Sequence, residues 1–424
     1  MNGVIEPGPG LPSHIALLLN EDFDFSDPRL VARKLRAMVR ELKDQADIGG
    51  FESLLTVDQN KPEFRAVLSG GLDLFSSKGA CQAFTCRLRY ADQIARTIAL
   101  MSDRVTAHDF FYERIHALRS RPTNAELSGL VADVAILKRL HPLIEAGVFR
   151  FTSPFMPACE SCFSEFNKRV HELGEQVAFR LGDQLIIERN ADGGHIDLSA
   201  LYDPSLFIHF SREFGDKASD DEIRSRFVQE AVRSTVWDAR SAAWTSGSVF
   251  SNSPAGISAL LSADGAYFTS PELRAFAAER TATLPWVANL TIEQTLNLRD
   301  AASSALPQLR EFMARRLSGV ASADEPESSW REVVAELREQ AELVQSELAI
   351  ATNRSPSLGQ SSAGILGLAV SAACLITDGP GSALGGLLGT LGLVHSLGST
   401  HRSTLRTKPG YVLVAARDIL HHAQ

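Results

Sequence analysis

Apolar positions along the first half of the chain fall into short continuous runs separated by stretches with helical spacing. His14 to Leu19 is a short apolar run that ends in the acidic stretch Asn20 to Asp24, which predicts a buried strand. Ser26-Asp27-Pro28 then opens a helix, with a capping residue ahead of a first-turn proline. Leu30, Val31, Leu35, Met38, Val39 and Leu42 give that helix one apolar face. The unit recurs. Tyr90 to Met101 is amphipathic through Ile94, Ile98 and Met101, and Arg104 to His108 follows it as a strand. Asn124 caps a helix through Leu127, Leu130, Val131, Val134, Leu137, Leu140 and Ile144. Gly147 ends that helix as a left-handed cap would, and Val148 to Thr152 follows as a strand. Asp183 to Glu188 and His195 to Leu198 flank the turn-forming run Asn190 to Gly194, which predicts a hairpin.

Helix, glycine and strand in repetition are the mark of an α/β region, placed at residues 1–210. A helical region is expected over 211–317, carried by Asp220 to Trp244 and by Thr291 to Leu317 with Pro307 inside it. Residues 318–329 are small and acidic and predict a linker. Trp330 to Ala351 is then strongly amphipathic through Val334, Leu337, Ala341, Val344 and Leu348, and opens a final region at 330–424. The expected fold class is therefore an α/β N-terminal region followed by a mainly α-helical C-terminal region ending in a Gly-rich apolar helical hairpin.

That hairpin is the most unusual feature of the sequence. Between Arg354 and Arg402 the one formally charged residue is Asp378, and Thr377 to Gly381 forms a turn signal between two apolar arms. Gly381, Gly385 and Gly389 recur at four-residue spacing beside Leu384 and Leu388, the small-residue pattern that lets helix backbones approach in lipid. Arg354 before the hairpin and Arg402, Arg406 and Lys408 after it would keep both ends on the cytoplasmic side. The opposed reading is burial, because a helix apolar all round is also what a large soluble core uses. Expected partners of the 363–397 segment are membrane lipid, further copies of the chain or another protein.

Composition sets the outer limits. The chain has 424 residues, 44% hydrophobic and 22% charged, which are globular proportions. A formal charge of -9 argues against a general nucleic-acid binder, which carries a basic face. Met1 to Gly10 has neither a basic nor an apolar signal region, so a cytoplasmic location is expected, peripheral to or inserted in an inner membrane if the hairpin meets lipid.

Five cysteines do not make a disulfide framework. Cys81 with Cys86 and Cys159 with Cys162 could together supply the four ligands of a structural zinc. Alternatively, Cys159-Glu160-Ser161-Cys162 between a strand and a helix has the order of a dithiol redox site, and all four can be ordinary thiols. Glu21, Asp22 and Asp24 after the first expected strand could bind a divalent metal with Asp58, Asp73 or Asp103. His108, His116 and His141 fit surface or satisfied core positions. No phosphate-loop, dinucleotide, zinc-protease or serine-hydrolase motif occurs, and no cofactor is expected beyond the zinc alternative. The resulting expectation is a bacterial-type regulatory or effector protein, not an enzyme, acting through the apolar hairpin. The alternative is a metal-dependent hydrolase or nuclease using the acidic turn, with the hairpin as core.

Overall fold

The structure is a computed structural model that describes residues 5–49, 65–76, 83–153, 159–181, 190–192, 195–200, 203–211, 217–244, 248–251, 290–312, 326–353 and 404–422, with single positions 253, 256 and 259. The chain divides into two compact units, Met1–Asn297 with Met313–Arg331, and Leu298–Phe312 with Glu332–Gln424. The hairpin at 363–397, with Gly381, Leu384, Gly385, Leu388 and Gly389, lies outside the described residues.

A small parallel sheet organises the first unit. Its strands are β1 (Arg65–Ser69), β2 (Arg104–His108), β3 (Phe149–Thr152) and β7 (Ser248–Ser251), in the spatial order β3-β2-β1-β7. All three pairings are parallel. Every residue of β1 is buried, as a central parallel strand requires when both faces are covered. A separate antiparallel sheet is formed by β4 (Asn190–Asp192), β5 (His195–Ala200) and β6 (Asp203–Ser211). Asp192 pairs with His195, and Asn190 to Asp192 are strand where the sequence pattern predicts turn. The other expected arm, 183–188, lies outside the described residues.

The strands expected at Arg104 to His108 and Val148 to Thr152 are present, and Gly147 takes a left-handed φ of 74° just ahead of the second. The expected strand at His14 to Leu19 is instead a helix, α1 (Ser13–Asn20). Periodicity cannot separate a short buried helix from a buried strand, and α1 is buried on most sides: His14, Ile15, Ala16, Leu18 and Leu19 are all inaccessible. Helix α2 (Pro28–Gly49) begins as expected, its N-terminal amide at Arg29 donating to Asp27 Oδ1 at 2.8 Å. Val31, Leu35, Met38, Val39 and Leu42 are buried, whereas Leu30 falls off that face and is exposed.

Helix α3 (Phe84–Gln93) runs on through a π-helical turn at Ile94–Ile98 to Met101. Helices α4 (Phe111–Ala117), α5 (Asn124–Arg139) and α6 (His141–Glu145) follow. The cap of α5 is Thr123 rather than Asn124: Thr123 and Glu126 form a reciprocal capping box, and Asn124 Oδ1 accepts from Arg36. The long helices α7 (Glu160–Leu181) and α8 (Asp220–Trp244) form a packed pair. Phe166, Val170, Leu173 and Val177 of α7 meet Ile223, Phe227, Val228, Ala231 and Val232 of α8, with Val67 of β1 and Val249 of β7 in the same core.

Helix α9 (Ile292–Ala301) stops before Pro307, and helical structure resumes over 306–312. Helix α10 (Pro326–Asn353) starts four residues earlier than the pattern predicts. In the second unit, α10 buries Leu337, Ala341 and Val344, and α11 (Tyr411–His422) buries Val412, Leu413 and Ala416. Lys408 Nζ lies 3.2 Å from Glu347 Oε2. No helix of the described residues is long and apolar enough to cross a membrane.

Candidate acid–base site at the carboxyl edge of the parallel sheet

Strands β1, β2 and β3 are laid down successively to one side, and β7 joins β1 on the other. The sheet therefore reverses its winding between β1 and β7, the position where open α/β sheets bind ligands beyond the strands' carboxyl ends. Ser69 ends β1 and pairs in register with Ser251, which ends β7. Beyond Ser69 the chain turns through Gly70, whose φ of 65° suits glycine, and Gly71 to reach Asp73. Ser253 N–H donates to Ser251 Oγ at 3.1 Å, and Gly256 N–H to Ser253 Oγ at 3.1 Å.

At this edge His108, the last residue of β2, is 1% exposed and stands between two carboxylates that are also buried. Its Nδ1 is 3.1 Å from Asp73 Oδ2 and 3.5 Å from Asp238 Oδ1. Asp238 comes from α8, the helix packed across β1 and β7. Among the described residues, three polar atoms of this trio find no hydrogen-bond partner: His108 Nε2, Asp73 Oδ1 and Asp238 Oδ2. Unpaired buried polar atoms are costly, which sets this cluster apart from the satisfied polar groups around it.

The electrostatics follow from burial and proximity. Burial opposes charge on His108, but the Asp73 hydrogen bond and the Asp238 and Asp73 charges outweigh it and raise its pKa to about 9. Burial, with the Asp73 charge added, raises the Asp238 carboxyl to about 7, against His108 and the Ser69 and Ser234 hydroxyls. Burial also raises Asp73, opposed by His108 and by the Arg114 cation. Near neutral pH the neighbouring carboxyls thus favour a protonated His108 ring, with the Asp238 carboxyl titrating close to that pH.

A second buried network fixes Asp73. Asp133 of α5 accepts from both Arg87 of α3 and Arg114 of α4. The same two arginines donate to the carbonyls that follow Asp73: Arg87 Nε to Leu74 O at 3.0 Å, and Arg114 Nη2 to Phe75 O at 2.7 Å. Burial, joined at Arg114 by the Arg87 charge, lowers each guanidinium to about 10. Phe75 itself packs on Phe111 and Phe151 with ring centroids 4.8 and 5.6 Å away. Beside this, Asp109 follows His108 and holds His14 Nε2 of α1 at 3.0 Å.

The residues singled out from sequence fall elsewhere. The acidic turn follows a helix, not a strand, which removes the premise of a strand-end metal site there. Glu21 pairs with Lys34 at 2.7 Å, and Asp24 Oδ1 accepts from the Ser26 amide. Asp73 belongs with His108, and Asp58 lies outside the described residues. Cys86 sits half-buried on α3, while Cys159 and Cys162 are exposed at the start of α7; all three are free thiols. Cys81 lies outside the described residues. Among the described residues no three His, Cys, Asp or Glu side chains are grouped to hold a metal ion. His108 and Asp238 were missed as a pair because 130 positions separate them and neither belongs to a motif.

Fold and site define an α/β protein with a buried His–Asp–Asp cluster at the switch point of a parallel sheet. Protein-family models, curated proteins and solved structures contain no match to this chain.

Proposed function

We propose that the first unit binds a small molecule at the carboxyl edge of its parallel sheet and transfers a proton to or from it through His108. One observation carries the reading: the Asp73 carboxyl holds His108 at Nδ1, while its buried Nε2 has no partner among the described residues. A general acid needs this arrangement, with one ring nitrogen fixed and the other aimed at a reacting atom. Because Asp73 and Asp238 keep the ring protonated at neutral pH, Nε2 offers an N–H to an oxygen that bears or acquires negative charge. Phosphate, carboxylate and enolate oxygens meet that requirement.

The test is a thermal-shift panel of inorganic phosphate, mononucleotides, nicotinamide dinucleotide, sugar phosphates and short carboxylic acids on the full chain and on His108→Gln. A probe that raises the melting temperature of the wild type and loses the effect in the variant supports the site. Hits that are all retained by His108→Gln overturn it.

A second reading rests on sequence alone. With Asp378 as the one charge between Arg354 and Arg402, the 363–397 segment supports an effector role through lipid contact or self-association. Flotation of the full chain with anionic liposomes tests it, and a chain that stays unbound and monomeric removes it.

A further inference from the structure

The first turn of α7 brings two thiols to the surface of the first unit. Cys159 stands at the cap position, its carbonyl accepting from Phe163 N–H at 2.9 Å, and Cys162 lies one turn on. The Cys162 amide points at Cys159 Sγ at 3.5 Å, and Ser161 Oγ lies 3.1 Å from the same sulfur. Both cysteines are exposed and neither is in a disulfide. Two sulfurs on one turn, the first facing a helix amide and the second able to reach it, can close a ring without rearranging the helix behind them.

We propose that Cys159 and Cys162 form a reversible dithiol–disulfide pair that exchanges with low-molecular-weight disulfides, Cys159 attacking and Cys162 resolving. The Cys159 thiolate attacks one sulfur of RSSR; that S–S bond breaks and RS⁻ leaves, taking up a proton. Cys162 then gives its proton to solvent, and its thiolate attacks Cys159 Sγ in the mixed disulfide and expels the second RS⁻. The chain loses two electrons, RSSR gains them, and the two thiol protons end on two RSH molecules.

The two sulfurs are electrostatically unequal in the direction this order needs. The Ser161 hydroxyl, together with the Cys162 amide and thiol, lowers Cys159 to about 7. The hydrogen bond to Cys159 and the charge there raise Cys162, with Glu165 acting the same way and Arg240 of α8 opposing. At pH 7 Cys159 is about half thiolate against a few per cent for an ordinary thiol, and after allowing for weaker intrinsic nucleophilicity it should react about threefold faster.

Glutathione redox buffers applied to the full chain, followed by acid quench, alkylation and trypsin, read the outcome directly. Cleavage after Arg150 and Lys168 releases a peptide that contains Cys159 and Cys162 and no other cysteine. The expected result is loss of two hydrogens from that peptide under oxidising buffer and double alkylation under reducing buffer. Cys162→Ser should trap glutathione on Cys159, and Cys159→Ser should trap far less on Cys162. Three results overturn the proposal: two alkylated thiols in oxidising buffer, glutathione trapped preferentially on Cys162, or zinc retained by the purified chain and released when these thiols are alkylated. Both side chains are exposed, so an unchanged circular-dichroism spectrum is expected for each variant and is checked first.

Discussion

Asp133→Asn removes the anion that two buried guanidinium groups share while keeping the side-chain shape. Asp133 is 0% exposed, and Arg87 and Arg114 both bond to it. Charge-assisted hydrogen bonds contribute about 1.5–3 kcal/mol each, and because the amide keeps one acceptor oxygen, losing one bond and weakening the other costs about 2–5 kcal/mol. Measured losses for breaking a buried ion pair from one side, about 3–5 kcal/mol, fall in the same range. The Arg114 side chain keeps 19% of its surface in water, and solvent there recovers part of the loss. The expected destabilisation is therefore about 3 kcal/mol, toward the lower end of that range. Urea unfolding followed by tryptophan fluorescence is the assay, because all four tryptophans fall within the first unit. Asp92→Asn is the control: Asp92 pairs with the exposed Arg139 at 2.8 Å, and a pair of that kind is worth less than about 1 kcal/mol. Arg87 and Arg114 also grip the carbonyls after Asp73, so the variant should lower the pKa of His108 as Asp73 loosens, which the ring's NMR titration reports. An Asp133→Asn loss no larger than that of Asp92→Asn refutes the clamp.

Two further outcomes follow from groups already described. His108 rises from 6.5 to about 9 on folding, so its contribution is complete below pH 6.5 and disappears as pH rises through 9. That difference corresponds to about 3 kcal/mol. Asp238, raised from 3.8 to about 7, acts in the same direction at lower pH because the folded state keeps a proton that the unfolded chain releases. Urea midpoints of the wild type should fall between pH 6.5 and 9 relative to His108→Gln, and a constant difference across that window contradicts the assignment. In the second unit, a Cβ on Gly410 would lie 2.5 Å from the Gln340 carbonyl carbon and 2.6 Å from Ala341 N, both backbone atoms of α10. Gly410→Ala should cost about 1–3 kcal/mol, seen as faster amide exchange across Tyr411–His422, and unchanged exchange there refutes the close approach.

The α/β character of the first unit was legible because amphipathic helices, Gly147 and the short β2 and β3 runs that follow such helices each leave a local signature. What was lost is equally physical. Arg65 to Ser69 and Ser248 to Ser251 are short runs that the sequence pattern does not single out, yet they form an inner strand, β1, and an edge strand, β7, of the sheet. Their pairing is fixed by the α7–α8 core pressing on Val67 and Val249, a long-range packing effect that no window of sequence contains. The same effect turns His14 to Leu19 into a helix. An apolar run buried on most sides carries no period, so tertiary environment decides its state.

The acid–base cluster shows why a site of this kind escapes a reading of motifs. Asp73, His108 and Asp238 come from a turn, a strand end and a helix, and each taken singly looks like an ordinary polar residue. Only the parallel sheet makes them neighbours. Its winding reverses between β1 and β7, the helices on its faces exclude water, and exclusion converts three unremarkable side chains into a strongly coupled charge centre. The expense of burying that centre is then met by a support that is itself expensive: two arginines shared by Asp133 and spent on holding the carbonyls of Leu74 and Phe75. Replacing buried ion pairs by apolar residues of similar volume is often neutral or stabilising, so a core alone does not call for six polar side chains here. Two polar networks joined through the Asp73–Phe75 turn stand there instead, and among the described residues His108 Nε2 finds no hydrogen-bond partner.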